Sequence, residues 1–250
     1  LYSQGIGLTT DFELATTYFR IACRENISAS CNQMGMMFQL PQKEFLDLEK
    51  ASRLFQKACE IQNAHGCENL GLMYYNGEGV TQDLKKSVDL FGKACLLQSG
   101  KGCFYAGYVY APQEKVSALT DQEKSLEYYK KSCEFGYGSG CFNLAYLYHD
   151  SKNSHHDYLK AARYYEKACW LKESKGCYSL GVYYETGKGV ALNSAIAEEF
   201  FYMGCNQKEA ESCKKIFLRE QERKLKQPKR QARSNPINET KTKNFKTQSN

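Results

Sequence analysis

The chain has 250 residues, 42% of them hydrophobic and 25% charged, with a formal net charge of +6. No run of about 18 apolar residues occurs, which excludes a transmembrane helix. The positive charge is uneven: residues 214–250 hold 12 Lys/Arg against 3 Asp/Glu, whereas 1–213 hold 22 against 25, so a nearly neutral body carries a basic end.

The chain opens inside a pattern that recurs along it. Leu1 aligns with Met73 and Tyr2 with Tyr74, so a preceding second cysteine is expected upstream of Leu1, with five residues between, and Leu1 is not expected to be the biological N-terminus. Twelve cysteines then follow in six pairs, each Cys-x7-Cys: Cys23/Cys31, Cys59/Cys67, Cys95/Cys103, Cys133/Cys141, Cys169/Cys177 and Cys205/Cys213. First cysteines recur every 36 residues, with one step of 38 between Cys95 and Cys133. A fixed period of this length marks a repeat array.

Before each first cysteine stands a helical stripe. Four residues back is an aromatic (Phe19, Phe55, Phe91, Tyr129, Tyr165, Phe201), and eight back is Ala or Ser. Offsets 0, 4 and 8 share one face of a 3.6-residue helix, here named helix B. After each second cysteine the offsets +3, +4 and +7 carry an apolar residue, a glycine or alanine, and an aromatic, as in Leu70, Gly71 and Tyr74; this is helix A. The repeated glycine costs about 1 kcal/mol relative to alanine, which points to close helix–helix approach. A glycine turn joins helix A to helix B in Asn76–Val80, Thr186–Val190 and Gln4–Gly7, and is lost after Phe38, Tyr110 and Tyr148. One pair of about 36 residues cannot bury its apolar face alone, so units stack. From Pro228 the sequence is polar, and a disordered basic tail is expected over 228–250.

The string Phe91-x-Lys93-Ala94-Cys95, Gly102-Cys103, Gly107-x-x-Tyr110 resembles the Sel-1-like repeat, a relative of the tetratricopeptide repeat. The paired cysteines are similar to those of its cysteine-rich secreted branch, the Hcp-type proteins. The expected fold is therefore all-α: a tetratricopeptide-like, right-handed superhelical solenoid of αα-hairpins over residues 1–227, starting mid-repeat. Phe217 departs from the pattern, standing where the last helix A should have glycine.

The cysteines admit three readings. A seven-residue connection across an antiparallel helix pair can bring two Cα atoms within disulfide range. Zinc prefers Cys-x2-4-Cys knuckles and fits the spacing poorly. Reduced cysteines could serve as small core residues, but that role would not need an even count at uniform spacing. Six disulfides are expected, and with them an oxidising compartment: periplasm, cell surface or medium.

The resemblance implies penicillin binding and slow β-lactam hydrolysis. The residues do not name a catalyst. Ser212-Cys213-Lys214-Lys215 has the Ser-x-x-Lys spacing, but Ser-Asp-Asn and Lys-Thr-Gly are absent and Ser212 is read as structural. His149, His155, His156, Asp150 and Asp157 form a histidine-rich loop that could bind zinc, with a solvated loop as the preferred reading. His65 is read as a helix-start residue. No phosphate cradle, metal site or cofactor is implied.

Binding is the other class. In related repeats helix A lines the concave side, so its positions off the core stripe face a ligand. These are +2 (Gln33, Asn69, Tyr105, Asn143, Ser179) and +5 (Met36, Leu72, Tyr108, Tyr146, Val182). Asn can hydrogen-bond both edges of an extended peptide, and Tyr offers apolar area with a polar tip. Asn69, Asn143, Tyr105, Tyr108 and Tyr146 are the candidate ligand residues, with packing against the neighbouring unit as the alternative. The expected partners are an extended or cell-wall-like peptide or a host protein, bound by a monomer. No specific nucleic-acid recognition is expected, since the basic tail lacks interleaved aromatics. A purely non-enzymatic scaffold acting on host or cell-envelope partners is the second functional reading.

Overall fold

The stripes counted from the cysteines become helices in register. The computed structural model describes residues 12–40, 46–112, 119–152 and 154–226, and among these there are twelve helices and no strand. The B helices are α1 (Phe12–Arg24), α3 (Leu48–Glu60), α5 (Leu84–Leu96), α7 (Gln122–Glu134), α9 (Tyr158–Trp170) and α11 (Ser194–Asn206). The A helices are α2 (Ser28–Met37), α4 (Ala64–Asn76), α6 (Gly100–Tyr110), α8 (Gly138–His149), α10 (Ser174–Thr186) and α12 (Ala210–Lys226). The turn at Gln4–Gly7 and the tail from Pro228 lie outside the described residues.

All twelve cysteines are paired within their Cys-x7-Cys units: Cys23–Cys31, Cys59–Cys67, Cys95–Cys103, Cys133–Cys141, Cys169–Cys177 and Cys205–Cys213. Their Cα–Cα distances are 4.5–4.7 Å, and no thiol is free. Each bridge staples the end of a B helix to the start of the next A helix. In the chain-entropy picture a loop this short contributes about 2.5 kcal/mol.

The expected disulfides are present, and the bridged cysteines also fill the core. Cys31, Cys67, Cys103, Cys141 and Cys177 are all 0% exposed, sealed in the first turn of their A helices. Cys31 packs with Cys23 and Ala58, Cys141 with Cys133 and Leu144, and Cys177 with Cys169 and Leu180. The cause is the short connection, which folds the A helix back so that its first inward position lands on the bridge. These cysteines are therefore structural positions out of reach of any ligand. Cys213 in the last unit differs: no further B helix covers it among the described residues, and it stays partly exposed.

The helix A glycines sit where a side chain cannot. A Cβ on Gly35, Gly71 or Gly181 would lie 2.6 Å from the ring of Phe55, Phe91 or Phe201, the aromatic four residues before the next first cysteine. A second close approach flanks each staple. A Cβ on Gly66 or Gly102 would stand 2.5 Å from that of Ala58 or Ala94. The small residue before each first cysteine and the glycine before the second are thus two halves of one contact.

The A-to-B connections differ in length yet close alike. The N–H groups of Asp47, Asp83, Asp121, Asp157 and Asn193 donate to the carbonyls of Phe38, Tyr74, Tyr110, Tyr148 and Tyr184 at 2.8–2.9 Å. Each of those residues is the N-cap of a B helix, and the Asp side chains accept from the N–H three residues on. Lys50, Lys86, Lys124 and Lys160 then lie over the rings of Phe38, Tyr74, Tyr110 and Tyr148 at 4.1–5.5 Å. The glycine turn is one way to reach this closure, with Gly77 and Gly79 at φ 75° and 68°. The longer loops after Phe38, Tyr110 and Tyr148 reach the same bond without it.

Candidate functional site

Successive A helices touch one another, α2 with α4, α4 with α6 and α6 with α8, whereas successive B helices pack less closely. The A side is therefore the short, concave side of the stack. Its +2 and +5 residues stand off the buried stripe of Leu70, Ala106, Leu144 and Leu180.

Tyr105 and Tyr108 come together at the α4–α6 junction, whereas Asn69 turns to α2. Tyr105 stacks on Phe91, with ring centroids 5.1 Å apart, and burial pushes its phenol pKa up, with the nearby Glu68 adding to the shift. Tyr108 remains 40% exposed; it meets Tyr75 edge-on at 6.3 Å and stacks on Phe104 at 6.1 Å. Asn69 is half-buried, and its Nδ2 donates to Oδ1 of Asn32 at 2.9 Å, tying α4 to α2. Asn143 and Tyr146 form a second group on α8. The Asn143 amide makes no hydrogen bond to another described residue, and Tyr146 is 55% exposed and stacked on His149 at 6.3 Å. Asn69 and Tyr105 have packing roles, Tyr108 and Tyr146 are exposed on the face, and Asn143 is half-buried.

Sequence reasoning missed Glu68. It is only 1% exposed, one residue after Cys67, and its carboxylate accepts a short hydrogen bond from Ser99 Oγ. His65 Nδ1 lies 3.3 Å from Oε2 of Glu68 and Lys101 Nζ 4.0 Å from it. Ser99 is also the N-cap of α6 and accepts from Gly102 N–H. The carboxylate stands between the serine and the histidine, so the imidazole is not placed to take the serine's proton, and the cluster is a polar tie between α4 and α6. The sequence offered little signal: at the same offset the other units carry Asn32, Phe104, Phe142, Tyr178 and Lys214.

The hydrolytic candidates have other occupations. Ser212 Oγ is buried without a partner beneath Gly204, and Lys215 Nζ is engaged by Glu185 at 2.7 Å. A nucleophilic serine must reach its substrate, and this one does not. The histidine-rich loop does not converge. His149 Nδ1 lies 2.7 Å from the Tyr183 hydroxyl, His155 Nε2 2.7 Å from Glu123, His156 packs on Tyr158, and Asp157 caps α9. Burial, with help from Lys188, pushes the His149 pKa down. Among the described residues no three His, Cys, Asp or Glu side chains gather as a metal site would need.

At the far end of the same face the chemistry is ionic. Glu185 on α10 accepts from Lys215 at 2.7 Å and Arg219 at 2.8 Å, and Glu198 on α11 pairs with Arg223 and, at 3.8 Å, with Arg219. Burial pushes Glu185 up, but the hydrogen bonds from Lys215 and Arg219 outweigh it and hold the carboxyl below its ordinary range.

The model of the Sel1 repeat matches residues 1–27, 28–63, 64–99, 100–137, 138–169 and 174–209. Among solved structures, the chain is similar to a protective antigen present in uropathogenic Escherichia coli strains that displays an SLR fold. That match has 24% identity and a TM-score of 0.77 over 88% of this chain and 47% of that one, so the chain spans about half the antigen's length. It is also similar to a Sel1 repeat protein from Oxalobacter formigenes, with 20% identity and a TM-score of 0.63 over 76% of this chain and 74% of that one. At these identities the likeness is one of fold. Helicobacter pylori cysteine rich protein B is 34% identical over 55% of this chain and 97% of its own, with a TM-score of 0.43. No curated protein matches the sequence.

Proposed function

The chain belongs to the Sel1 repeat family, and from that premise we propose that it is an exported interaction scaffold whose A-helix face holds an extended, peptide-like segment of a partner protein. Six disulfides fit an oxidising setting, since cytosolic thiols are kept reduced. The observation that carries the binding reading is the row of neutral side chains along the concave face, with Met36, Tyr108 and Tyr146 exposed and Asn143 half-buried. None is needed to seal the core. Tyrosine ladders offer large contact area at low entropic cost, and amides read a peptide backbone. Hydrolysis of β-lactams is left out of the proposal, because Ser212 is sealed inside the last unit.

The test is an array of overlapping 12-residue peptides probed with the oxidised protein. Strong binders are expected to lose tenfold or more in affinity with the Tyr108→Ser/Tyr146→Ser double variant, and several-fold with Asn143→Ala. Trp170→Ser, at the exposed end of α9, is the control and should change nothing. Binders insensitive to all A-face variants would sink the groove reading. Mass spectrometry after alkylation of natively isolated protein checks the compartment, and free thiols throughout would contradict export.

A further inference from the structure

Between α4 and α6 the concave face holds a small cavity of about 90 Å³, lined by Leu72, Tyr75, Phe91, Tyr105, Tyr108 and Val109, with the neutral amide of Asn76 at its edge. Phe91 and Val109, each 1% exposed, form its back wall; half-buried Leu72 and Tyr75 and exposed Tyr108 stand at its mouth. We propose that this cavity is the anchoring subsite of the face and takes one aliphatic side chain, of valine to leucine size, from an extended peptide. The inference rests on the reading of the A-helix face as the binding surface.

Size, charge and surroundings lead to that occupant. An apolar cavity of about 150 Å³ admits a benzene ring; at 90 Å³ there is room for a few aliphatic carbons but not for an aromatic side chain. The lining carries no ionised group. Its titratable members are phenols, and burial pushes Tyr75 and Tyr105 further from ionisation. The nearby cation, Lys101, lies 5.7 Å over the Tyr105 ring, and its charge is met inside the protein by Glu68 at 4.0 Å. An uncharged apolar group complements this mouth; a carboxylate or ammonium would lose its hydration there without a partner. Asn69 and Leu72 are three residues apart on α4, one helical turn, with the Asn69 amide held by Asn32 on the α2 side. Asn143 and Tyr146 repeat that spacing on α8. The combination occurs at this junction because Tyr75 stands at an offset where the next A helix has Ala111.

The test uses the full oxidised chain and the probes acetyl-Ala-Ala-X-Ala-Ala-amide with X = Ala, Val, Leu, Phe or Asp, followed by methyl and amide NMR shifts. Affinity is expected to rise about fourfold for each added aliphatic carbon from Ala through Val to Leu, with Phe and Asp no tighter than Ala. The largest shifts should fall on the methyls of Leu72 and Val109. Leu72→Phe should fill the cavity and erase the dependence on X, whereas Leu72→Ala should enlarge it and improve the Phe probe at least tenfold. Affinity independent of X, with shifts still on α4, α6 and α8, overturns the subsite and leaves the face reading standing. No shift on that face with any probe overturns both. Shifts at Leu72 and Val109 that grow with protein concentration alone would identify a second copy of this chain as the occupant and overturn the peptide assignment.

Discussion

The α4–α6 and α10–α12 junctions are built on the same skeleton and end in opposite chemistry. Both have a stapled loop between their helices, Cys95–Cys103 and Cys205–Cys213, and both press an A-helix glycine against a phenylalanine, Gly71 on Phe91 and Gly181 on Phe201. At offset +8 they diverge: Tyr75 meets Tyr108 in one, while Glu185 gathers Lys215 and Arg219 in the other. The first junction presents neutral rings and an opening. The second pairs its charged groups within the protein and continues into the charged helix α12. Phe217 stands at the offset that packs the next B helix in other units. The two chemistries are written at the same A-helix offset, on a common scaffold.

If the skeleton is common, removing a staple should cost the same at either junction. The Cys95→Ala/Cys103→Ala and Cys205→Ala/Cys213→Ala pairs are each expected to lower stability by about 2.5 kcal/mol in urea denaturation. A cost at one site more than double that at the other would mean that the staples are not equivalent parts. Next in size is the ionic latch. Arg219→Ala strips one partner from both Glu185 and Glu198, which are 28% and 15% exposed, and should cost about 1–2 kcal/mol. Hydrogen exchange should show the loss in α11 and α12 and leave α4 and α6 unchanged. Equal loosening at both ends would show that the two junctions are coupled. Smaller again is the N-cap. Asp83→Ala should cost about 1 kcal/mol, because the side chain satisfies the Lys86 N–H, with fraying confined to the start of α5.

The cysteine register made most of this fold legible before any coordinates. The offsets of Phe55, Phe91 and Phe201 and of Gly35, Gly71 and Gly181 were visible, and the structure shows each ring seated on its glycine. Spacing paired the cysteines correctly, yet it could not show that Cys31, Cys141 and Cys177 are also core residues, because their burial comes from the neighbouring unit. The Asp N-caps were equally regular, twelve residues before each first cysteine, but a cap is recognised only once the loop end is known. The residues three after each first cysteine left no signal at all. Asn26, Gln62, Gln98, Lys172 and Lys208 adopt φ of 60–67°, a conformation usually given to glycine, and only Gly136 fits that expectation. On the candidate face, residue type marked the right positions, but Asn69 and Asn32 are 37 residues apart in sequence, and their hydrogen bond follows from the superhelical register, which offsets alone do not fix.

The smallest expected effect is one of pH, and it separates the two junctions by sign as well as place. Glu185 holds its proton more weakly in the folded protein than in the unfolded chain, because the hydrogen bonds from Lys215 and Arg219 outweigh the effect of burial. Its contribution to stability is therefore complete above the ordinary glutamate value of 4.5 and is lost as pH falls from there through the depressed folded value. Protonated, Glu185 no longer answers Lys215 and Arg219, and α12 should loosen first. Hydrogen exchange of α12 at pH 6, 5, 4 and 3, corrected for intrinsic rates, should show its protection falling over that window. Glu185→Gln should start lower and flatten the slope, since nothing is left there to titrate. A slope of equal steepness in Glu185→Gln would show that the acid sensitivity of α12 does not come from Glu185.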